Sequence, residues 1–193
     1  MGTTPQTDDR VIESQQAFEG KLISLRVDRL RLSTGVEITR EVVLHPAAVA
    51  ILPILPDDRM LLVRQYRHPV GDLLWEIPAG LVDPGESPLV AAKRELREET
   101  GYEAQDWVES ISFFTSPGFT DEKIALYIAR GLIKVGAPDL REIDTARGFA
   151  SPELTSLIED GTIRDAKTIL AILAWQIPTH HSSLRQYGVS LAV

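Results

Sequence analysis

Residues 80–102 read GLVDPGESPLVAAKRELREETGY, and this stretch predicts a loop followed by a helix. Ser87 is a favourable N-cap, and Pro88 suits the first helical position because proline lacks the N–H that would be unpaired there. The residues that follow are mostly strong helix formers. Gly101 fits the left-handed conformation that ends many helices. We therefore expect a helix that starts at Pro88 and ends just before Gly101.

The predicted helix has an apolar side and an acidic side. Apolar residues recur at steps of three and four, which predicts a buried stripe formed by Leu89, Ala92 and Leu96. Three carboxylates fall close together on the helix, at Glu95, Glu98 and Glu99. A like-charged pair four residues apart destabilises an isolated helix by roughly 0.2–0.5 kcal/mol, so the cluster needs a positive partner. Arg94 is predicted to pair with the glutamate four residues further on.

The acidic cluster has two interpretations. A glutamate-rich helix face is usually a solvated surface, and the three glutamates alone favour that interpretation. The alternative is a metal site, because carboxylate oxygens with no Cys and no nearby His suit a hard cation such as Mg²⁺ or Mn²⁺. The spacing of the whole stretch decides between the two.

Seven residues of the stretch stand at the fixed spacings of the Nudix box: Gly80, Glu86, Arg94, Glu95, Glu98, Glu99 and Gly101. The chain therefore resembles the Nudix hydrolases, which cleave nucleoside diphosphates linked to another group and use divalent metal. The resemblance implies an α/β (α+β) fold. It is the Nudix-type αβα sandwich with a mixed β-sheet, in which the box forms a loop, a helix and a loop.

An N-terminal antiparallel β subdomain is predicted over residues 18–45. Apolar residues alternate there, and Ser33-Thr34-Gly35 is typical of a turn between strands. Residues 1–17 are predicted to be a flexible lead-in. The subdomain is either a structural appendage or a dimerisation arm, and its exposed strand edges would need cover by a partner. In ADP-ribose pyrophosphatases, a branch of the Nudix family, such an arm commonly mediates an exchanged homodimer, so we expect a homodimer.

The Nudix domain itself is predicted over residues 46–178, and residues 179–193 are predicted to be a C-terminal tail. Apolar runs predict strands at 49–55, 60–66, 73–77, 107–115 and 123–130. Residues 131–150 contain three glycines and a proline and are predicted to be irregular. Helices are expected at 151–160 and 166–177, with Gly161 as a stop signal and Asp165 as a cap.

Two segments outside the box favour the ADP-ribose pyrophosphatase branch. The first is Gln65-Tyr66-Arg67, whose guanidinium suits a phosphate. The second is SPGFTDE at 116–122, which otherwise is an ordinary Pro-Gly turn. Its Pro117 lies fifteen residues after Tyr102, the distance typical of the branch. The resemblance thus implies hydrolysis of ADP-ribose to AMP and ribose 5-phosphate.

The resemblance also implies individual roles. Metal ligands are the carbonyl of Ala79 and the side chains of Glu95, Glu99 and Glu142. Catalytic roles go to Glu142, Glu98 and Arg94. Substrate contacts are Arg40, Glu41, Arg67, Leu81, Phe119 and Glu122. The base that takes a proton from the attacking water is Glu142 or Asp144, and both remain open.

Composition limits the function classes. The 193 residues carry a formal net charge of −8, and no basic patch suggests nucleic acid. The absence of cysteine is compatible with a reducing cytoplasm. The longest apolar run, 47–56, is too short to span a bilayer, and the polar N-terminus does not resemble a signal peptide, so we expect a cytoplasmic protein with no membrane partner.

Two rival functions remain at this stage. The chain could hydrolyse another nucleoside diphosphate sugar or a dinucleoside polyphosphate, because the SPGFTDE segment does not indicate which base or sugar the substrate carries. It could also be a non-catalytic module that senses ADP-ribose. The complete Nudix box argues against the second.

Overall fold

The computed structural model describes residues 9–139, 141 and 143–176. Three predictions concern residues outside this part: the start of the lead-in, the base and metal ligand Glu142, and the tail at 179–193. The strands are β1 Arg10–Glu19, β2 Ser24–Arg31, β3 Glu37–Leu44, β4 Ala48–Pro53, β5 Met60–Arg67, β6 Asp72–Glu76, β7 Ala79–Leu81, β8 Tyr102–Phe114, β9 Lys123–Lys134 and β10 Ile143–Phe149. The helices are α1 Pro88–Thr100, α2 Ser151–Glu159 and α3 Ala166–Gln176.

The chain divides into two compact units. The first unit consists of residues 1–47 and 114–123, and the second consists of residues 48–113 and 124–193. The N-terminal subdomain predicted at 18–45 therefore falls within the first unit. The first unit also takes in the SPGFTDE segment, which is distant in sequence.

The first unit contains a three-stranded antiparallel sheet in the order β1-β2-β3. The turn predicted at Ser33-Thr34-Gly35 joins β2 to β3, and Gly35 adopts φ 85° there. The lead-in prediction is wrong for residues 10–17, because these residues form most of β1 and pair with β2. Every residue of β1 is exposed, so its sequence lacks the regular apolar alternation that reveals a half-buried strand.

The second unit is a layered α/β structure, as predicted. Its central sheet has the order β7-β4-β9-β8, and it is mixed because β4 pairs antiparallel with β7 and parallel with β9. A second sheet has the order β10-β5-β6. All six residues of β4 are buried, so this strand lies at the centre of the core.

Alternate residues of β4 contribute to two separate apolar clusters, as expected for a strand whose side chains point to opposite faces. One cluster joins Val49 and Ile51 to residues of α1. The other joins Ala50 and Leu52 to residues of α2, α3, β5 and β10. Helix α1 therefore covers one face, and α2 and α3 cover the other, which is the predicted αβα arrangement.

Helix α1 has the predicted boundaries. The side chain of Ser87 accepts a hydrogen bond from the N–H of Val90, and Gly101 adopts φ 69° at the C-terminal end. The predicted apolar stripe is wrong in one member: Leu89 is 36% exposed, whereas Ala92 and Leu96 are fully buried. The first turn of the helix lies beyond the apolar cluster, whose helical members begin at Ala91.

Residues 131–150 are more regular than predicted. Strand β9 continues to Lys134, and β10 occupies Ile143–Phe149 in antiparallel register with β5. A register shift between Ile143 and Thr145 interrupts the alternation of β10 and hides it from sequence patterns. Among the described residues, no helix is long and apolar enough to cross a membrane.

Replacement of Leu96 by alanine tests the packing of α1. We expect Leu96→Ala to lower the free energy of unfolding by about 2–5 kcal/mol, because it opens a cavity in the core. The matched control is Leu89→Ala on the same helix, which should cost less than about 1 kcal/mol because the side chain is partly in solvent. Urea titration measures both, and equal losses would contradict this description of the helix.

Candidate active site

The carboxylates of α1 lie against the backbone of β7. Glu99 is 6% exposed, and its Oε2 accepts a hydrogen bond of 3.1 Å from the N–H of Ala79. The carboxylate of Glu95 lies beside Gly80, where an added Cβ would be 2.1 Å from its Cδ. Glycine is therefore needed at position 80 because any side chain would displace this carboxylate. Two of the three predicted glutamates thus share one strand as their neighbour.

Arg94 is the positive partner that the acidic cluster requires. Its Nη1 donates to Glu95 Oε1 at 2.5 Å and to Glu98 Oε2 at 3.3 Å, so the predicted pair with the residue four positions on is present. The other side of the guanidinium donates to Glu86 at 3.2 and 3.0 Å. Its Nη2 also donates to the carbonyl of Leu81 at 2.9 Å. Arg94 therefore ties the loop, the helix and β7 together.

Glu98 occupies a different environment from its two neighbours. Its side chain is 54% exposed, and its backbone carbonyl accepts a 2.7 Å hydrogen bond from the N–H of Asp139. The N–H groups of Val135 and Gly136 donate hydrogen bonds to the carbonyl of Gly101. The segment at 135–139 is therefore anchored to the C-terminal end of α1. A cavity of about 540 Å³ lies beside it, lined by Arg94, Arg97, Glu98, Gly101 and residues 135–139.

Burial raises the pKa of Glu99 to about 8. The N–H of Ala79 opposes this rise, the negative charge of Glu95 adds to it, and the positive charges of Arg67 and Lys167 lower the pKa again. A carboxylic acid with such a pKa remains partly protonated near neutral pH unless a cation replaces the proton.

Arg67 lies at the end of β5 and pairs with the buried Glu76 of β6. Lys167 at the start of α3 contacts the same carboxylate. With only 1% of its surface exposed, Glu76 points into the protein. The sequence did not predict a role for Lys167, because no spacing rule links it to Glu76.

Of the two candidates for the base, the structure describes one. Glu142 lies outside the described residues. Asp144 lies in β10, and its Oδ2 accepts hydrogen bonds from Arg64 of β5, with Nη2 at 2.6 Å. Asp144 is therefore paired in this structure, and a role as base would require that exposed ion pair to open.

Four predicted substrate contacts belong to the first unit. Arg40 and Glu41 are exposed residues of β3. The SPGFTDE segment forms a turn whose Phe119 carbonyl accepts the N–H of Val43 at 2.8 Å, so the turn lies beside the same strand. Phe119 is 57% exposed, and Glu122 accepts a hydrogen bond of 2.6 Å from the hydroxyl of Thr115. The unit thus brings together two segments that the sequence singled out separately.

The family model of the NUDIX domain matches residues 44–172. The chain belongs to the Nudix hydrolase family. The resemblance inferred from the box is therefore confirmed, and so is the Nudix fold.

Several known proteins are similar to this one over most of their length. An ADP-ribose pyrophosphatase of Bacillus subtilis is 37% identical, covering 88% of this chain and 94% of that protein. An ADP-ribose pyrophosphatase of Mycobacterium tuberculosis is 40% identical, and the match covers 86% of this chain and 83% of that protein. A methanol dehydrogenase activator of Bacillus methanolicus is 39% identical, and the match covers 88% of this chain and 94% of that protein. A crystal structure of an ADP compounds hydrolase superposes with a TM-score of 0.80 at 25% identity, covering 97% of this chain and 99% of that one.

Nudix hydrolases generally need divalent metal ions, and the residues around β7 fit such an ion. The buried carboxylate of Glu99, the carboxylate of Glu95 and the backbone at Ala79 are all oxygen donors, which hard cations prefer. Within the part of the chain that the structure describes, no group of three or more His, Cys, Asp or Glu side chains is arranged to hold a metal. The candidate set is therefore two carboxylates and a carbonyl, with Glu142 outside the described residues.

The raised pKa of Glu99 predicts how stability depends on pH without metal. The pKa is about 8 in the folded protein against 4.5 for an ordinary glutamate, so between these values the folded state binds more protons than the unfolded state. Stability that is present below pH 4.5 is therefore lost as the pH rises towards 8. We expect Glu99→Gln to remove this loss, so that its melting temperature in EDTA exceeds that of the wild type increasingly from pH 5 to pH 8.

The control for this measurement is Glu103→Gln, which changes a half-exposed carboxylate that pairs with Arg97 on the surface. Its melting temperature should follow the wild type across the range. A constant difference between Glu99→Gln and the wild type at every pH would contradict the assignment of a raised pKa to Glu99.

Proposed function

We propose that this protein hydrolyses the diphosphate of ADP-ribose to AMP and ribose 5-phosphate. The observation that carries the proposal is the set of oxygen donors held against β7, where Glu99 is buried and Glu95 is fixed between Gly80 and Arg94. The substrate is proposed from the similarity to ADP-ribose pyrophosphatases over most of the chain.

The metal is proposed to be Mg²⁺ or Mn²⁺, held by the carbonyl of Ala79, by Glu95 and Glu99, and by Glu142. When bound, a divalent ion supplies Lewis-acid stabilisation of negative charge on the diphosphate. In the reaction, water adds its oxygen to one phosphorus atom, and the bond from that phosphorus to the bridging oxygen breaks. Glu142 or Asp144 is proposed to take the proton of the water.

The remaining side chains bind and orient. Arg67 is proposed to bind a phosphate group, since its guanidinium has donors in a planar fork. Arg94 keeps the helix carboxylates in place, and Glu98 assists as one of its partners. Leu81 is proposed to contact the substrate through its backbone, since its side chain packs against the core. The proposed contacts in the first unit are Arg40, Glu41, Phe119 and Glu122.

Product analysis tests this function. The pure protein is incubated with ADP-ribose, a GDP-sugar, a UDP-sugar and a dinucleoside polyphosphate, each with Mg²⁺ or Mn²⁺. We expect ADP-ribose to have the highest kcat/KM, with AMP and ribose 5-phosphate as products. Preference for another compound would move the assignment to another Nudix substrate, and binding of ADP-ribose without cleavage of any compound would indicate a sensor.

Glu99→Gln tests the donor set in the same assay. Loss of a partner in the outer shell of a metal typically costs 10- to 100-fold, and we expect loss of this carboxylate to cost at least roughly 100-fold in kcat. Glu103→Gln should retain wild-type turnover because it lies on the surface. Activity of Glu99→Gln within a few-fold of the wild type would contradict the assignment of Glu99 as a metal ligand.

We further propose a cytoplasmic homodimer assembled through the first unit. Strand β1 is at the edge of its sheet and exposes Val11, Ile12 and Phe18, and such an edge needs cover. The absence of cysteine suits a reducing compartment. Light scattering should give twice the mass of one chain, and fractionation of the source cells should recover the protein with cytoplasmic markers. A single-chain mass at all concentrations would refute the dimer.

A further inference from the structure

Glu76 is a buried carboxylate that binds two cations. Arg67 approaches it side-on, with Nε 2.8 Å from Oε1 and Nη2 2.7 Å from Oε2. The ammonium group of Lys167 contacts Oε2 as well. The side chain of Glu76 is 1% exposed and that of Lys167 is 12% exposed, whereas Arg67 is 37% exposed. The carboxylate that joins the two cations is therefore buried, and Arg67 is the more exposed of the two cations.

The first turn of α3, which carries Lys167, is held by hydrogen bonds of the neighbouring residues. Asp165 caps α3, because its Oδ2 accepts the N–H of Thr168 at 3.0 Å and the hydroxyl of Thr168 at 2.6 Å. The same hydroxyl accepts the N–H of Ile77 at 2.9 Å. Asp165 also pairs with Lys167 at 3.0 Å. The first turn of α3 is thereby tied to the residue that follows Glu76.

This arrangement restricts the guanidinium of Arg67. A two-point pair with a carboxylate fixes the plane of the guanidinium as well as its position. Because Lys167 also donates to Oε2 of this carboxylate, a rotation of Glu76 would break the contact with Lys167 as well. Among the described residues no hydrogen bond engages Nη1 of Arg67, so that nitrogen keeps its two N–H groups for a further partner.

We propose that Glu76 and Lys167 are positioning residues that hold Arg67 in the orientation in which it binds a phosphate group of the substrate. The inference rests on the proposed function, because it takes Arg67 as a ligand of the diphosphate. It assigns a role to Lys167 that the box and the branch segments do not include. Lys167 acts through Glu76 and Arg67 rather than by touching the substrate.

The competing explanation is that this network only attaches α3 to the sheet. A second ion pair provides the comparison. Arg164, just before α3, pairs with Asp72 of β6, but both side chains are more than half exposed. Arg164→Met therefore removes a cation that joins the same two parts of the chain without removing one from the buried network.

Binding is measured by calorimetry with an ADP-ribose analogue in which a methylene group replaces the bridging oxygen, in the presence of Mg²⁺. The full-length wild type, Lys167→Met, Lys167→Arg and Arg164→Met are compared, and their melting temperatures are recorded. We expect Lys167→Met to raise the Kd about 10- to 100-fold, the range typical when a supporting residue is lost. Arg164→Met should stay within about twofold of the wild type, since its pair is exposed.

Lys167→Arg separates charge from packing. Methionine is closer to lysine in shape, whereas arginine retains its charge. Positioning through charge predicts that Lys167→Arg binds the analogue more tightly than Lys167→Met. If Lys167→Met is properly folded and binds as tightly as Arg164→Met, or if it binds at least as tightly as Lys167→Arg, the inference is wrong.

Hydrolysis of ADP-ribose by the wild type is measured separately, so that the two proposals fail independently. If the wild type hydrolyses ADP-ribose and Lys167→Met binds the analogue normally, the proposed function stands and the positioning role does not. If the wild type binds the analogue without hydrolysing ADP-ribose, and Lys167→Met weakens binding, the positioning role stands and the proposed hydrolysis does not. If the wild type neither binds the analogue nor hydrolyses ADP-ribose, both proposals are wrong.

Discussion

A carboxylate buried on the inner side of a helix is the constraint on which the second unit depends. Burying a charged group without a partner is costly. The cost for Glu99 is offset by a hydrogen bond from the N–H of Ala79 and by attraction to the more distant charges of Arg67 and Lys167. This compensation is incomplete, as its raised pKa shows. An ordinary core would place an apolar residue here, and the unfavourable position supports the proposed role of Glu99 in binding a cation.

The rest of the unit holds this position in place. Ala92 and Leu96 pack α1 on the central sheet, and the carboxylates of Glu95 and Glu99 lie against the backbone of β7. Arg94 connects the loop before the helix to the helix itself, so that Glu95 has a fixed place beside Gly80. The fold therefore brings oxygen donors together beside β7, and the proposed chemistry depends on that arrangement.

The sequence predicted those parts of the site that are local in the chain. The N-cap at Ser87, the end of the helix at Gly101 and the pairing of Arg94 with Glu98 all depend on residues within a few positions of each other. Leu89 was assigned wrongly because periodicity cannot show where the sheet beneath a helix ends. The overall layering was predictable because the box is specific to one family.

The parts that were not predictable depend on long-range contacts. Lys167 meets Glu76 across ninety-one positions, and no spacing rule connects them. Strand β1 is polar and wholly exposed, so only its pairing with β2 reveals it. Asp144 was an open candidate for the base, and its ion pair with Arg64 becomes visible only when β10 is placed beside β5.

The central claim is that α1 and β7 together hold divalent metal. Its most direct test is a crystal structure of the protein soaked with Mn²⁺, in which anomalous scattering locates the metal. The account predicts manganese within coordination distance of the carboxylates of Glu95 and Glu99. Manganese bound elsewhere, with both carboxylates left without metal at a concentration that supports full activity, would contradict it.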